Sequence, residues 1–226
     1  MDRMQGLIRC GLLAGSLIAC HTSSPAGPDG AGGDGSGNGG TAGLHVAFTS
    51  DPMPIPSLAD NGLTLELVVL KFDNLKVIGD AGPGDPRTTA NSFEVKWDTQ
   101  TTPAPIDFTT APTGLYSKVS FQIDGHLIDD SYILKGHVTV AGTSTPFEIE
   151  DRNTLTLSLD CNQMLAAGGT DTIKVKFGFK DALQSVNWAN VRTHDGMLEL
   201  DDTDPQILTF HSNLSDEISI DNSGPN

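Results

Sequence analysis

Apolar and polar residues alternate strictly at residues 155–159, which read LTLSL, and again at residues 173–177, which read IKVKF. Successive side chains of a β-strand point to opposite faces of its sheet. A period of two therefore predicts strands that bury one face and expose the other to water. These two stretches indicate a sheet that covers a core on one side.

The alternation recurs in several other runs between residues 44 and 179. They have apolar residues along one face at Leu63, Leu65, Leu67 and Val69; Phe93, Val95 and Trp97; Leu115, Val119, Phe121 and Ile123; and Tyr132, Leu134, Val138 and Val140. Near Asp73 and Asn74 the phase shifts, which predicts a bulge or a bend. Turn-forming stretches, such as residues 80–86 and 167–169, separate the runs. About eight short strands of this kind predict an all-β fold, an antiparallel β-sandwich.

Two short helices are expected within this fold. One or two turns span residues 181–186. The second helix begins at Asp204 and Pro205, because Asp can cap a helix and Pro suits its first position. Ile207, Phe210 and Leu214 follow at helical spacing, so we expect this helix to cover one open end of the sandwich. A final strand is predicted at residues 218–220.

Residues 111–119, which read APTGLYSKV, place Pro112, Gly114 and Tyr116 at alternate positions. The pattern resembles a strand entry of transthyretin-like and related bacterial β-sandwich domains. In such a turn Pro stiffens the approach, Gly permits a tight backbone and Tyr covers the sheet edge. The layout of residues 44–226 is also similar to that of bacterial envelope lipoproteins with a β-sandwich domain of unknown function. This resemblance implies no catalytic centre.

The N-terminus has the layout of a secretory signal peptide. Arg3 and Arg9 precede an apolar and small-residue stretch at residues 10–19. This stretch is too short to span a membrane, since a spanning helix needs about 20 apolar residues. The segment therefore predicts export.

Residues 17–20 read LIAC, that is Leu17, Ile18, Ala19 and Cys20. They resemble the lipobox of bacterial lipoproteins. The resemblance implies that the thiol of Cys20 receives a diacylglyceryl group, that a peptidase cuts before it, and that its new amino group is acylated, with chains such as palmitate. Two or three acyl chains anchor a protein stably. His21 follows where Asp would signal inner-membrane retention, so the family rule favours the outer membrane.

These features divide the chain into three segments: a signal peptide at residues 1–19, a lipidated Cys with a linker at residues 20–43, and a β-sandwich at residues 44–226. The linker is rich in Gly, Ser, Asp and Pro, so it is predicted to be flexible, with a reach of about 25–30 Å. A calcium-binding glycine-rich repeat is the alternative at residues 32–37. Only one imperfect copy occurs, which favours the linker.

The chain is strongly acidic, with a net charge of −16 that becomes −17 when Asp2, Arg3 and Arg9 leave with the signal peptide. An acidic surface repels phosphate backbones and anionic lipid head groups. We therefore expect no nucleic-acid partner, and membrane affinity through the lipid on Cys20 rather than through the protein surface.

Cysteine usage leaves no intrachain disulfide after this processing. Cys10 leaves with the signal peptide and Cys20 is lipidated, so Cys161 alone keeps its thiol. Cys161 ends an alternating run without a basic neighbour in sequence. A buried apolar role is favoured over a catalytic thiol.

Motifs that carry chemistry are few. The sequence contains no GxSxG, HExxH, phosphate-binding loop or CxxC pattern. His126 and His137 flank a predicted hairpin and could begin a metal site, but no third ligand is indicated. Asp129 and Asp130 form a small acidic pair. No cofactor is expected.

The best carboxylate cluster comprises Asp201, Asp202 and Asp204. Calcium favours several carboxylate oxygens on a loop, so these residues are the candidate metal ligands. The favoured interpretation is that Asp204 caps the second helix, while the other two carboxylates interact with its positive end.

Trp97, Trp188, Tyr116 and Tyr132 could form a platform that stacks on sugars. Aromatic residues in alternating strands more often belong to the core, which favours a core role. Trp188, in the irregular segment at residues 187–190, is the candidate ligand residue if one of the four is exposed.

Three functions remain open at this point. The first is a non-enzymatic envelope lipoprotein whose β-sandwich is a structural or protein-interaction module. The second is a ligand-capture module for a glycan or calcium, displayed on a stalk. The third is a hydrolase whose acidic residues are distant in sequence. The first is preferred, because it requires only export, an anchor, a spacer and a β domain.

Overall fold

Strands form most of the described chain, as the period-two alternation predicted. The computed structural model describes residues 43–51, 57–59, 62–79, 86–126 and 129–221. Its strands are β1 (Gly43–Ser50), β2 (Ser57–Ala59), β3 (Leu63–Gly79), β4 (Pro86–Ala90), β5 (Phe93–Trp97), β6 (Ile106–Phe108), β7 (Gly114–Ile123), β8 (Tyr132–Val140), β9 (Thr143–Asp151), β10 (Leu155–Leu165), β11 (Thr170–Phe177), β12 (Arg192–His194), β13 (Met197–Leu200) and β14 (Ile218–Ile220). The helices are α1 (Phe179–Gln184) and α2 (Gln206–Asp216), and a 3-10 turn spans Trp188–Asn190.

The described strands form two sheets. The small sheet has the order β14-β11-β1-β6, and the large sheet has the order β10-β7-β3-β8-β9-β13-β12, with β2, β4 and β5 also paired to β3. The pairs β1–β11 and β9–β13 are parallel, and the other pairs between described strands are antiparallel. The prediction of an all-β sandwich with short helices is confirmed. The two parallel pairs are an addition that alternation alone does not predict.

The core lies between the two sheets and is rich in aromatic rings. Phe72 of β3 is almost fully buried, and its ring centroid lies 5.0 Å from that of Phe48 in the small sheet. The ring of Phe121 in β7 lies 4.9 Å from Phe72 on the other side. Burying a large apolar side chain contributes about 1.5–3 kcal/mol, so this cluster is a main link between the sheets.

Two neighbouring positions of the large sheet are each occupied by two strands placed end to end instead of by one continuous strand. The first half of β3 pairs with β8 and its second half with β7. Between them, the amide of Lys71 donates to the carbonyl of Ser131, and the carbonyl of Lys71 accepts from the amide of Asp124. Since both groups of one strand residue point to the same edge, β7 and β8 lie end to end along β3. At the next position in the sheet, β10 pairs with β7 and β9 pairs with β8, so the same interruption lies between β10 and β9. We call this interruption the sheet break.

Strand β3 changes phase twice, whereas the sequence predicted one change. The predicted shift near Asp73 and Asn74 is confirmed by a register irregularity and by a positive φ of 53° at Asn74. An additional irregularity follows Leu65. As a result Leu67 and Val69 are only half-buried, and the intervening Val68 is buried. The prediction that placed Leu67 and Val69 on the buried face is wrong, because a bulge reverses the face of every later side chain.

The turn before β7 takes a form common in β-sandwiches. The hydroxyl of Tyr116 donates a 2.6 Å hydrogen bond to the carbonyl of Pro112, four residues earlier. Gly114 has a φ of 131°, a backbone conformation that residues with a Cβ atom rarely adopt. Such a bond from a buried Tyr to the backbone upstream is known as a tyrosine corner. The pattern of Pro112, Gly114 and Tyr116 is thus explained by local backbone geometry.

Both helices occur close to where the sequence predicted them. α1 begins two residues earlier than expected, at Phe179. α2 buries Ile207, Phe210 and Leu214 against the core, as their spacing predicted. The carboxylate of Asp204 accepts the amide of Gln206 at 2.8 Å, so it satisfies one of the unpaired amides of the first helical turn.

Candidate functional site

A buried carboxylate lies at the sheet break. Asp151 is the last residue of β9 and is the only charged side chain of the described residues that is fully buried. Tyr132, the first residue of β8, and Ser131 beside it are also fully buried. A buried charge is costly unless it is well hydrogen-bonded, so its surroundings define the most unusual chemical site of the domain.

Hydrogen bonds satisfy both oxygens of Asp151. Its Oδ2 accepts from the hydroxyl of Tyr132 at 2.6 Å and from Nδ1 of His211 at 2.8 Å. Its Oδ1 accepts from the backbone amide of Asn153 at 2.9 Å and from the side-chain amide of the same residue at 2.7 Å. A carboxylate has about four acceptor positions, so all of them are used.

Local periodicity explains how these side chains meet. Phe147, Ile149 and Asp151 alternate along β9, so Asp151 points to the same face as two core residues. In α2, His211 follows Phe210 and lies four residues after Ile207, which places it at the margin of the buried side. The side chain of His211 keeps 20% of its surface exposed. The ring thus reaches from the helix margin to the buried carboxylate.

The electrostatics of this cluster favour an ionised Asp151. Burial disfavours its charged form, but the hydrogen bonds from His211 and Tyr132 outweigh burial, and the pKa of Asp151 is lowered from its usual 3.8. Burial, together with the negative charge of Asp151, raises the pKa of Tyr132 far above its ordinary value. Tyr132 therefore keeps its proton and donates it in a hydrogen bond to the carboxylate of Asp151.

A carboxylate that orients a histidine is also part of many hydrolase sites. There, the second ring nitrogen accepts the proton of a hydroxyl or thiol nucleophile. Among the hydrogen bonds of the described residues, His211 takes part only in the one to Asp151. The geometry as it stands joins α2 to the sheet break and assembles no catalytic triad among these residues.

An acidic pocket lies on the opposite face of the large sheet, between β9 and β13. It has a volume of about 120 Å³ and is lined by Leu200 and by four carboxylate residues, Glu148, Glu150, Glu199 and Asp201. In the register of the sheet, Glu148 lies directly opposite Glu199. Basic side chains offset this repulsion: Lys135 pairs with Glu148, and Arg192 contacts Glu199 at 3.1 Å and Asp201 at 2.8 Å.

Glu150 is the least easily ionised member of this pocket. Partial burial is the largest cause, followed by its hydrogen bond with Glu148 and by the charges of Asp130 and Glu148; together they raise its pKa to about 7. Lys135 acts in the opposite direction. The pocket therefore holds a proton at mildly acidic pH, when most surface carboxyls are ionised.

Two of the three candidate metal ligands, Asp201 and Asp204, are hydrogen-bonded to other residues of the domain, and the third, Asp202, is exposed to solvent. Asp201 binds Arg192 through one oxygen and the hydroxyl and amide of Thr203 through the other. Asp204 accepts the amide of Gln206 in the first turn of α2, and Asp202 is exposed. Within the described ranges, no group of three or more His, Cys, Asp or Glu side chains is arranged to hold a metal ion.

The aromatic residues do not form a sugar-stacking platform, because Trp97, Tyr116 and Tyr132 are buried in the core. Trp188 is half-buried, its indole nitrogen donates to the carbonyl of Leu183 at 3.2 Å, and its ring lies 4.7 Å from that of Phe147. The core role is therefore confirmed for the first three residues. Trp188 is the one of the four that retains contact with solvent.

The two histidines of the predicted hairpin do not face each other across paired strands. β7 and β8 lie end to end along β3 instead of pairing, so the predicted hairpin is wrong. His137 contacts Glu66 at 2.9 Å, and His126 lies in the loop that follows β7. The sequence pattern could not separate the two arrangements, because both require alternation in the two strands.

The remaining candidates form ordinary surface contacts. Asp129 pairs with Lys71 at 3.1 Å, and Asp130 pairs with Arg152 at 3.3 Å. Cys161 is half-buried, with its sulfur 3.4 Å from the carbonyl oxygen of Tyr116.

The lipobox residues, Leu17, Ile18, Ala19 and Cys20, lie outside the described residues, as do the rest of the signal peptide and nearly all of the linker. No helix in the described part of the chain is long and apolar enough to cross a bilayer.

Sequence reasoning missed Asp151 and His211. One signal was available, since Asp151 occupies an inward position in the alternation of β9, where a charge requires partners. The identity of those partners was not available, because His211 is 60 residues away in the chain.

Comparisons with known proteins assign this chain to no family. No protein-family model matches this chain, and no curated protein and no solved structure is significantly similar to it. The described part of the chain is an all-β sandwich with two short α-helices.

Proposed function

We propose that this chain is a membrane-anchored envelope lipoprotein whose β-sandwich is a non-enzymatic structural or protein-interaction module. The observation that carries the proposal is the LIAC sequence at residues 17–20, placed after Arg3, Arg9 and a short apolar stretch. An exported chain with this sequence would be held at the membrane by acyl chains on Cys20, and the domain would extend from it on the linker.

The contacts of the charged side chains support the non-enzymatic part of the proposal. Asp151 and His211 bind each other and join α2 to the sheet. Asp201 is held by Arg192 and Thr203, and Asp204 by the first turn of α2. Groups that are engaged in this way stabilise the domain, and freeing one for catalysis would leave a partner unpaired.

The acidic net charge of the chain supports a role at the envelope in which the lipid anchor, and not the protein surface, contacts the membrane. The net charge of −16 repels anionic head groups, so the acyl chains on Cys20 would supply the membrane affinity. Such a surface also keeps an exported domain soluble beside the membrane. A protein partner would meet an acidic and mostly polar sheet surface.

The alternative of ligand capture has weaker support. Trp188 already donates its indole N–H to Leu183, and Asp201 and Asp204 have internal partners. A glycan would have to stack on a half-buried ring, and calcium would have to displace Arg192.

Metabolic labelling with an alkyne analogue of palmitate tests the anchor in a bacterial host. The full chain should take up the label and sediment with the membranes. Cys20→Ser should lose both, since it removes the thiol that would be acylated. Cys161→Ser is the matched control, because it removes the other cysteine of the processed chain and should label like the parent. Label that persists in Cys20→Ser would refute lipidation at this residue.

Protease treatment of intact cells then tests the location. Digestion of the domain on intact cells would indicate surface display and direct the partner search to the exterior. Digestion only after the outer membrane is opened would indicate the periplasm, and crosslinking there would identify the protein partner. A chain that is never exported would contradict the proposal.

A further inference from the structure

Helix α2 is held to the rest of the domain by apolar and polar contacts. Its buried side contributes Ile207, Phe210 and Leu214. At its start, Gln206 exchanges hydrogen bonds with Asn187, a pair of neutral groups. The bond from His211 to Asp151 is the contact with a buried carboxylate. These neutral contacts do not titrate, whereas the carboxylates of Asp151 and Asp204 can, and Asp151 is the fully buried one of the two.

The surroundings of Asp151 donate hydrogen bonds to its ionised form. The hydroxyl of Tyr132 from β8, the two amides of Asn153 from the segment after β9, and Nδ1 of His211 from α2 all donate to its oxygens. A neutral carboxyl would add a donor where four donors already point, so at least one of these hydrogen bonds would have to rearrange. Protonation would also leave the ring of His211, mostly buried, without its counter-charge.

Other charged groups near the cluster have partners of their own. Asp130 and Arg152 pair with each other at 3.3 Å, and Glu150 belongs to the pocket on the opposite face of the sheet. Burial raises the pKa of Asp151, and the neighbours that lower it are His211, Tyr132 and Asn153, of which His211 also acts through its charge when protonated.

From this geometry we propose that Asp151 is an acid-operated latch for α2. The helix is docked at the sheet break while Asp151 is ionised, and it opens locally when Asp151 takes up a proton. The two sheets, whose contacts are mainly apolar, stay folded through this change.

The direction follows from the lowered pKa of Asp151 in the folded domain. Its ordinary value is 3.8, so near and below that pH the open form binds the proton more readily than the docked form. The docking of α2 is fully supported above this range and is lost as the pH falls through the lowered pKa.

Hydrogen exchange of the full chain between pH 2 and 6 tests the latch. Protection is the ratio of the intrinsic exchange rate to the observed rate at each pH. In α2 it should fall by up to about tenfold per pH unit between pH 3.8, the ordinary pKa of the carboxyl, and the lowered pKa of Asp151 in the docked form, as one proton per opening requires. Amides of β3 and β8 should keep their protection in that interval. Loss in α2 only together with β3, or no loss at all, overturns the proposal.

Variants assign the effect to the residue. Asp151→Asn cannot ionise, so the protection of α2 should be lower at neutral pH and flat with pH. If that variant does not fold, His211→Gln is informative: its amide can still donate to Asp151 but carries no charge, so the loss of protection should move to higher pH. An unchanged midpoint in His211→Gln would contradict the latch. Asp204→Asn is the matched control, because Asn also caps a helix. A loss of the acid response in this control would assign the sensor to Asp204 and overturn the proposal.

Discussion

Replacing Tyr132 with Phe should destabilise the domain more than replacing Tyr116 with Phe. Each change removes one hydroxyl from a fully buried ring, and each hydroxyl donates a 2.6 Å hydrogen bond. Phe keeps the ring in both cases, so the apolar packing is nearly unchanged. The acceptors of these two bonds differ. Tyr132 donates to the buried carboxylate of Asp151, whereas Tyr116 donates to the carbonyl of Pro112, which is an exposed residue.

The expected magnitudes follow from these acceptors. A hydrogen bond to a charged group contributes about 1.5–3 kcal/mol, and its loss leaves a buried oxygen that water cannot reach. A neutral bond contributes about 0.5–1.5 kcal/mol, and the carbonyl of Pro112 can bind water instead. Tyr132→Phe should therefore cost roughly 1–2 kcal/mol more than Tyr116→Phe. A difference of about 2 kcal/mol corresponds to about 4–8 °C in Tm for a domain of this size.

Urea unfolding of the full chain at pH 7 provides the measurement. The midpoint should fall further for Tyr132→Phe, with m unchanged in both variants, since an unchanged m shows that the folded and unfolded states expose the same surface as before. Equal losses, or a larger loss for Tyr116→Phe, would mean that Asp151 is not a desolvated anion in the folded protein.

Two further predictions concern the large sheet. Because the pKa of Glu150 is raised from 4.5 to about 7, the folded protein holds more protons than the unfolded chain between these values, so its stability should fall as the pH rises through the interval. Glu150→Gln should flatten this part of a stability-against-pH profile, whereas a profile like that of the parent would show that Glu150 titrates normally. Gly136→Ala should prevent folding or cost several kcal/mol, since its Cβ would collide with the carbonyl oxygen of Thr64 and crowd the ring of Phe147. Circular dichroism and urea unfolding measure this effect, and a variant as stable as the parent would contradict the close approach of β3 and β8.

Local periodicity was sufficient to predict the type of most elements and the faces they bury. The alternation at Leu155 and Leu157 predicted β10, and the spacing of Ile207, Phe210 and Leu214 predicted α2. These predictions succeed because a period of 2.0 or 3.6 residues is a property of the backbone itself. They failed at Leu67, where a bulge changed the phase without a Gly or Pro to mark it.

Pairing between strands could not be predicted in the same way. β1 pairs in parallel with β11, more than 100 residues later in the chain, and β7 and β8 lie end to end although they follow each other in sequence. Alternation is the same in parallel, antiparallel and unpaired neighbours, so it carries no information about partners.

The sequence by itself determined the β-rich composition of the domain, the amphipathic faces of its strands and of α2, and the pattern at Cys20 from which the lipid anchor is proposed. Each of these is encoded within a few consecutive residues. Only the tertiary structure decided that Asp151, Tyr132 and His211 form one cluster at the sheet break. A buried carboxylate takes its partners from whichever segments the packed core brings to it, and those segments are set by long-range contacts that no local pattern encodes.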